Sequence, residues 1–150
     1  MKYHIDQFGI NDKALEIIES AMQYGTRALS IPKTVRTVVY ATNSIRKTDR
    51  NTQAECEQIT GKLYTIKLAR NTVRGLSKGD HFALAILFHE LVHIKQFVSG
   101  KLKFTRRANK ILWKGKDITN IDYESDPSEI EAFAKGDKLA TRFLNSFEWE

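Results

Sequence analysis

The segment from His81 to Val98 is strongly apolar and reads HFALAILFHELVHIKQFV. Its apolar residues cover nearly the whole circumference of an α-helix, and a helix that is apolar on all sides is normally buried. Ser77–Asp80 just before it is typical of a helix start, and Gly100 just after it is typical of a helix end. The segment therefore predicts a buried central helix.

Between residues 82 and 94 this helix carries the polar side chains His89, Glu90 and His93, which form the pattern H-E-x-x-H. The i, i+4 spacing puts both imidazoles on one helix face, where they can bind a single Zn²⁺ at about 2.0–2.1 Å. Glu90 is turned about 100° from His89. It cannot easily bind the same ion but can reach a water on it, as a general base must. Because burying these groups unpaired is costly, the pattern favours a zinc site over satisfied core residues.

The composition is that of an ordinary folded protein. The chain has 150 residues, of which 41% are hydrophobic and 28% are charged, so we predict one domain over residues 1–150. Cys56 is the single cysteine, which excludes an internal disulfide and a cysteine-based zinc finger. No apolar run reaches the roughly 18 residues of a membrane span, and the N-terminus lacks the features of a signal peptide. The sequence therefore predicts a cytoplasmic protein that does not enter a membrane.

The segments around the central helix predict a mixed α/β fold of the α+β class. The predicted elements are a helix from Asn11 to about Gly25, a strand over Val35–Tyr40, a loop over residues 41–61, a strand over Leu63–Ala69, a hairpin or irregular excursion over residues 101–116, and a helix that begins at Asp126–Ser128. The expected architecture is a small twisted sheet packed on the central helix, with the C-terminal helix beside it.

A catalytic zinc site needs a third protein ligand and keeps a fourth position for water. His81 lies about 12 Å from His89 along the same helix, and His4 lies near the N-terminus. No histidine follows His93. A carboxylate from elsewhere in the chain is therefore the expected third ligand.

Two carboxylates of the last helix are candidates for this ligand. Glu129 shares a helix stripe with small and apolar residues, namely Ala132, Phe133, Gly136, Ala140 and Phe143. Glu131 falls on a charged stripe and can pair with Lys135 at i+4. We therefore predict Glu129 as the third ligand and Glu131, the alternative, as a solvated residue. Ala132 and Gly136 are small enough to let the two helices approach closely.

The pattern His89-Glu-Leu-Val-His93 with a downstream helical glutamate resembles the gluzincin class of zinc metallopeptidases. The short chain is similar to minimal single-domain members, and to phage and bacterial HExxH metallopeptidases that end in a Tyr…Pro-x-Glu-Ile-Glu-Ala block. That block spans Tyr123–Ala132 here, and its Glu-x-x-Ala part also resembles the third-ligand helix of ImmA/IrrE-type regulatory peptidases. The resemblance covers about residues 62–145. It departs from the pattern at Phe133, where an acidic residue is usual, so the supporting partner of the zinc histidines is unassigned.

The resemblance implies peptide-bond hydrolysis, with zinc held by His89, His93 and Glu129 and with Glu90 as general base. It also implies that an edge strand just before the central helix holds the peptide substrate as an extra β-strand, and residues 62–71 are the candidate. Tyr123 could donate a hydrogen bond to the developing oxyanion or could serve in packing alone.

The charge distribution supports other hypotheses. The formal net charge is +6, and residues 101–116 (Lys101–Lys116) contain seven cations and no acidic residue. With Phe104 and Trp113 interleaved, this stretch could bind nucleic acid weakly or could be a solvated basic face. A combined hypothesis is a DNA-associated protease that cleaves a regulator or a protein bound to DNA. A protein-binding module with a structural zinc ion is a third hypothesis, although structural sites are usually closed by four protein ligands.

Overall fold

The structure is a computed structural model that describes residues 1–42 and 53–147. Four α-helices and two small sheets form these parts of the chain, so the fold is mixed α/β, as predicted. The elements in chain order are β1 (Lys2–Ile5), α1 (Asp12–Ala28), β2 (Arg36–Thr42), β3 (Ala54–Gln58), β4 (Leu63–Ala69), α2 (Arg70–Ser77), α3 (His81–Val98), β5 (Leu102–Thr105), β6 (Lys110–Trp113), β7 (Lys116–Asp117) and α4 (Pro127–Ser146).

The larger sheet has the strand order β1-β2-β4-β3. The first three of these strands are parallel, whereas β3 runs antiparallel to β4. Alternate residues of β4, namely Tyr64, Ile66 and Leu68, are fully buried, as the alternation predicts. This buried face packs toward α3, and the rings of Tyr64 and Phe97 lie 6.1 Å apart.

The strand topology corrects two predictions. Residues 62–71 do not supply an edge strand, because β4 lies between β2 and β3 within the described residues. The edge strand next to β4 is β3, which comes from the stretch 41–61 that was predicted to be a loop. Its sequence AECEQ is too polar to indicate a strand. Residues 43–52 of the predicted loop lie outside the described residues.

Helix α3 is the buried centre of the fold, as predicted. Eleven of its residues are buried, including both histidines and Glu90. The helix is not buried on every side, because the apolar residue Phe82 in its first turn is 61% exposed. Helix α1 passes close by and continues to Ala28 rather than ending near Gly25. A Cβ on Gly25 would lie 2.6 Å from Leu91 Cδ1, so this glycine permits the contact of α1 with α3.

Two elements after β4 differ in detail from the prediction. Helix α2 was not predicted, since its sequence RNTVRGLS is mostly polar and contains a glycine, and it buries only Thr72, Val73 and Leu76. The basic stretch 101–116 forms β5 and β6, which pair antiparallel with β7 beside them. Of the two predicted alternatives, a hairpin or an irregular excursion, the hairpin is therefore confirmed.

Helix α4 begins where predicted, because Asp126 is its N-cap. The Asp126 carboxylate accepts hydrogen bonds from the Ser128 backbone N–H at 2.9 Å and from the Ser128 hydroxyl at 2.7 Å. Such a cap fixes where the first helical turn begins. The first turn contains Glu129, so the cap also sets the height of that carboxylate along the helix.

Helix α4 approaches α3 closely at Gly136. A Cβ at this position would lie 2.8 Å from the Ala85 carbonyl oxygen and 3.0 Å from the His89 backbone nitrogen. Ala132 and Ala140 on the same stripe are fully buried. The predicted close approach through small residues is confirmed. None of the helices in the described ranges is long and apolar enough to cross a membrane.

We expect Gly136→Ala to destabilise the protein. The new methyl group would press on α3 backbone that cannot rotate away, and this overpacking should outweigh the gain in helix propensity, leaving a net loss of about 1–2 kcal/mol. Urea unfolding of the metal-free protein measures the effect. Gly61→Ala is the matched control, because its new Cβ would meet no atom within 4 Å. A Gly136→Ala protein as stable as the parent would contradict the close approach.

Candidate metal centre

Three side chains from two helices meet in a compact group at the α3–α4 contact. The Nε2 atoms of His89 and His93 lie 3.0 Å apart. Glu129 places Oε2 at 2.9 Å from His89 Nε2 and Oε1 at 2.9 Å from His93 Nε2. Ligand atoms of a tetrahedral zinc ion at about 2.0–2.1 Å would lie about 3.3 Å from one another. The three residues, hereafter the metal group, therefore lie close enough to hold one metal ion.

The predicted choice between two glutamates is consistent with this geometry. Glu129 reaches both imidazoles, and its side chain is 19% exposed. Glu131 is not part of the group that could hold an ion. Its predicted pairing with Lys135 is present at 3.8 Å. It is not the solvated residue that was predicted, because its side chain is only 22% exposed and Lys101 adds a second contact at 3.2 Å.

The charges of the group are strongly coupled without a metal. Burial alone would raise the pKa of Glu129, but hydrogen bonds and positive charge from both histidines hold that pKa well below its usual range. Burial alone would lower the pKa of His93, but the Glu129 carboxylate outweighs it and raises the pKa to about 9. The carboxylate that favours a proton on His93 could favour a cation instead, and metal binding would then displace that proton.

Glu90 lies beside the group on the same helix and is buried. Burial raises the pKa of its carboxyl, the positive charges of His93 and His89 oppose this, and the nearby carboxylates of Glu129 and Glu55 add to the rise. A buried carboxylate with a raised pKa near a metal group is suited to accept and return a proton.

The edge strand β3 passes close to Glu90, and this proximity was not predicted from the sequence. Burial, followed by the negative charges of Glu90 and Glu57, raises the pKa of the Cys56 thiol well above its ordinary value. The thiol therefore stays protonated at neutral pH, which disfavours Cys56 as a metal ligand or a nucleophile.

The supporting partner that the sequence left unassigned is found for one of the two histidines. His93 Nδ1 lies 2.8 Å from the Oε1 of Gln96, a residue that is 1% exposed. Gln96 also donates from Nε2 to the Ser128 carbonyl at 3.0 Å and to Glu131 Oε1 at 3.2 Å. The i, i+3 spacing of His93 and Gln96 on a buried helix was the available signal for this contact.

His89 has an aromatic neighbour in place of a polar one. The Phe133 ring lies 4.3 Å from the His89 ring, and Tyr123 stands 6.3 Å from Phe133 on the outer side. His89 Nδ1 is buried and has no hydrogen-bond partner among the described residues. Tyr123 is 43% exposed, so it is not a packing residue of the core, and its hydroxyl donates to Glu129 Oε2 at 3.1 Å.

The other two histidines take no part in the group. His81 contacts the Thr141 hydroxyl at 3.0 Å and the Asp137 carboxylate at 3.5 Å. His4 is an exposed residue of β1. The sequence-based exclusion of both residues agrees with these positions.

An apolar cavity adjoins the group. It has a volume of about 300 Å³ and is lined by Phe82, Ala85, Ile86, Phe133 and Asp137. Phe133 forms one wall of the cavity and also contacts His89, so the cavity and the group share a residue. A larger depression between α1 and α4 contains none of the metal-group residues.

Comparisons with protein-family models, with curated proteins and with solved structures found no match to this chain.

We expect the two glutamates of α4 to differ in their effect on metal affinity. Glu129→Ala removes one of the three candidate ligands. Loss of a supporting residue typically weakens metal binding by about 10–100-fold, and the loss of zinc affinity in Glu129→Ala should be larger than that. Glu131→Ala should weaken it by less, because Glu131 reaches the site only through Gln96. Competition titrations with a chelator give both values. A larger loss in Glu131→Ala than in Glu129→Ala would show that the ligand assignment is wrong.

Proposed function

We propose that the protein is a zinc metallopeptidase of the gluzincin type. The observation that carries this proposal is the placement of His89, His93 and Glu129 within 3.0 Å of one another, with Glu90 buried beside them. The donor set of two imidazoles and one carboxylate suits Zn²⁺. Three protein ligands also leave a position for water, as catalytic zinc sites do and structural zinc sites usually do not.

A bound Zn²⁺ would supply Lewis acidity, which makes a water more acidic and polarises the scissile carbonyl. In the proposed reaction Glu90 accepts the proton of the attacking water. Its carboxyl then returns this proton to the leaving amine nitrogen. The raised pKa of Glu90 supports this double role, because an ordinary exposed carboxyl is a weak proton carrier near neutral pH.

The position of β3 supports a peptide as the substrate class. This strand is an edge of its sheet within the described residues and contributes Glu55 and Cys56 to the surroundings of Glu90. An extended peptide can add to such an edge through main-chain hydrogen bonds, which would align it along the metal group. The proposed substrate strand is therefore β3 and not residues 62–71.

Two features beside the metal group fit the recognition and chemistry of a peptide. The apolar cavity at Phe133 could accept an apolar side chain of the substrate. The Tyr123 hydroxyl donates to Glu129 Oε2 at 3.1 Å, and in the proposal it turns this single hydrogen toward a developing oxyanion instead. Both roles are part of the proposal.

Glu90→Gln separates an enzyme from a binding module. Glutamine keeps the size of the side chain but removes the basic oxygen, so the variant should fold and bind zinc as the parent does. Peptidase activity should fall by about 10²–10⁴-fold, which is typical of a lost general base. A peptide library with mass-spectrometric detection gives the activity, and chelator competition gives the zinc affinity.

Glu19→Gln is the matched control, since it makes the same change at an exposed position of α1. Cleavage that survives in Glu90→Gln would refute the proposed mechanism. A parent protein that binds zinc, cleaves nothing in the library, and binds a protein partner equally well with Gln at position 90 would favour the binding-module hypothesis instead.

A second candidate function is nucleic-acid binding through residues 101–116. The observation that favours it is exposure: Lys103, Arg106, Arg107 and Lys116 lie at exposed positions, and Phe104 beside them is 47% exposed. Other cations of the stretch are already engaged, since Lys101 pairs with Glu131 and Lys110 with Asp117. The remaining charge is sufficient only for weak binding.

If this basic surface contacts phosphates, binding should weaken steeply with salt because each neutralised phosphate releases counterions. We expect Arg106→Ala combined with Arg107→Ala to reduce the salt dependence of binding to a DNA duplex, as measured by fluorescence anisotropy. Lys13→Ala on α1 is the control. No binding by the parent at about 50 mM salt would leave residues 101–116 as a solvated face.

A further inference from the structure

Gln96 connects His93 to helix α4, and both ends of its side-chain amide form hydrogen bonds. Its Oε1 faces His93 Nδ1 at 2.8 Å, and its Nε2 faces the Ser128 carbonyl at 3.0 Å and Glu131 Oε1 at 3.2 Å. Gln96 is 1% exposed, so water cannot replace these partners easily. Glu131 is held in turn by Lys101 Nζ, 3.2 Å from its Oε2.

The partners of Gln96 determine which way its amide points. Ser128 O and Glu131 Oε1 are both acceptors, so they require the NH₂ group of Gln96 on their side. A flipped amide would set its oxygen against a carbonyl and a carboxylate. The Oε1 atom is therefore fixed toward His93.

This orientation in turn determines which nitrogen of the His93 ring carries the hydrogen. Because Oε1 is only an acceptor, His93 Nδ1 must donate to it. A metal-bound imidazole keeps one ring proton, so a proton at Nδ1 leaves the lone pair of Nε2 for the metal. Nε2 is the atom that faces His89 Nε2 at 3.0 Å and Glu129 Oε1 at 2.9 Å.

We propose that Gln96 is a positioning residue which holds His93 in the tautomer that binds metal through Nε2, and that the Ser128 carbonyl and the Glu131–Lys101 pair hold Gln96. The inference rests on the metal-binding part of the proposed function and adds roles for four residues that are not ligands. It gives Glu131 a function at the site although it lies outside the ligand group. His89 serves as an internal comparison, since its Nδ1 has no such partner among the described residues.

The test measures zinc affinity by chelator competition and records proton NMR spectra of the protein loaded with Co²⁺ alone. In the parent, the paramagnetic ion should shift the His93 ring N–H, which should exchange slowly with water because Gln96 covers it. Gln96→Leu should weaken zinc binding about 10–100-fold, as is typical when a supporting partner of a ligand is lost. The slowly exchanging signal should disappear in the same variant.

Two further proteins separate a positioning role from a general loss of stability. Gln96→Glu combined with Glu131→Gln exchanges the two groups. It restores an acceptor for His93 Nδ1 but leaves the Ser128 carbonyl without its donor, so it should recover the slow signal and part of the affinity. Gln23→Leu, an exposed residue of α1, should change neither. Should Gln96→Leu not fold, Gln96→Asn keeps a buried amide that is too short to span both partners, and it should show the same losses.

A parent that binds metal while both Gln96→Leu and Gln96→Asn keep its affinity and its slow N–H signal would overturn this inference but leave the proposed function standing. A folded parent that binds neither zinc nor Co²⁺ would overturn both.

Discussion

The contact of α4 with α3 at Gly136 is the constraint on which the site depends. Backbone atoms of Ala85 and His89 stand where a side chain at position 136 would have to be. This approach brings the first turn of α4 against the middle of α3, and the Asp126 cap sets the height of Glu129 within that turn. A wider separation of the two helices would leave Glu129 unable to reach both His89 and His93, because the 2.9 Å distances depend on the backbone separation.

The electrostatic state of the cluster explains why a cation is expected there. Two carboxylates, Glu90 and Glu129, are withdrawn from water next to two imidazoles, and buried charges are tolerated only when they are paired or bound to a metal. The pKa of His93 is raised, so a proton on His93 satisfies part of this requirement. A divalent cation in the same place would compensate both carboxylates and would release that proton. The buried cluster is thus stable as a protonated group and is also suited to exchange protons for a metal.

The sequence predicted those parts of the site that follow from spacing within one helix. His89 and His93 are brought together by the i, i+4 relation, and Glu129 follows from its place on a stripe of small residues. The same reasoning misplaced Glu131, because a helix stripe assigns a direction but does not reveal that Lys101 and Gln96 reach across from neighbouring elements. Edge strand β3 was missed for a related reason. Its polar sequence gives no local signal, and its pairing with β4 depends on contacts between distant segments.

X-ray absorption spectroscopy of the protein loaded with one equivalent of Zn²⁺ tests the central claim most directly, because it reports the atoms bound to the metal without requiring a substrate. Our account predicts four nitrogen or oxygen ligands at about 2.0–2.1 Å, with outer-shell scattering from two imidazole rings and no sulfur. Loss of the two-imidazole pattern in Glu129→Ala is not expected, since both histidines come from α3. A sulfur ligand, which would have to be Cys56, or a zinc ion bound by fewer than two imidazoles would contradict the account.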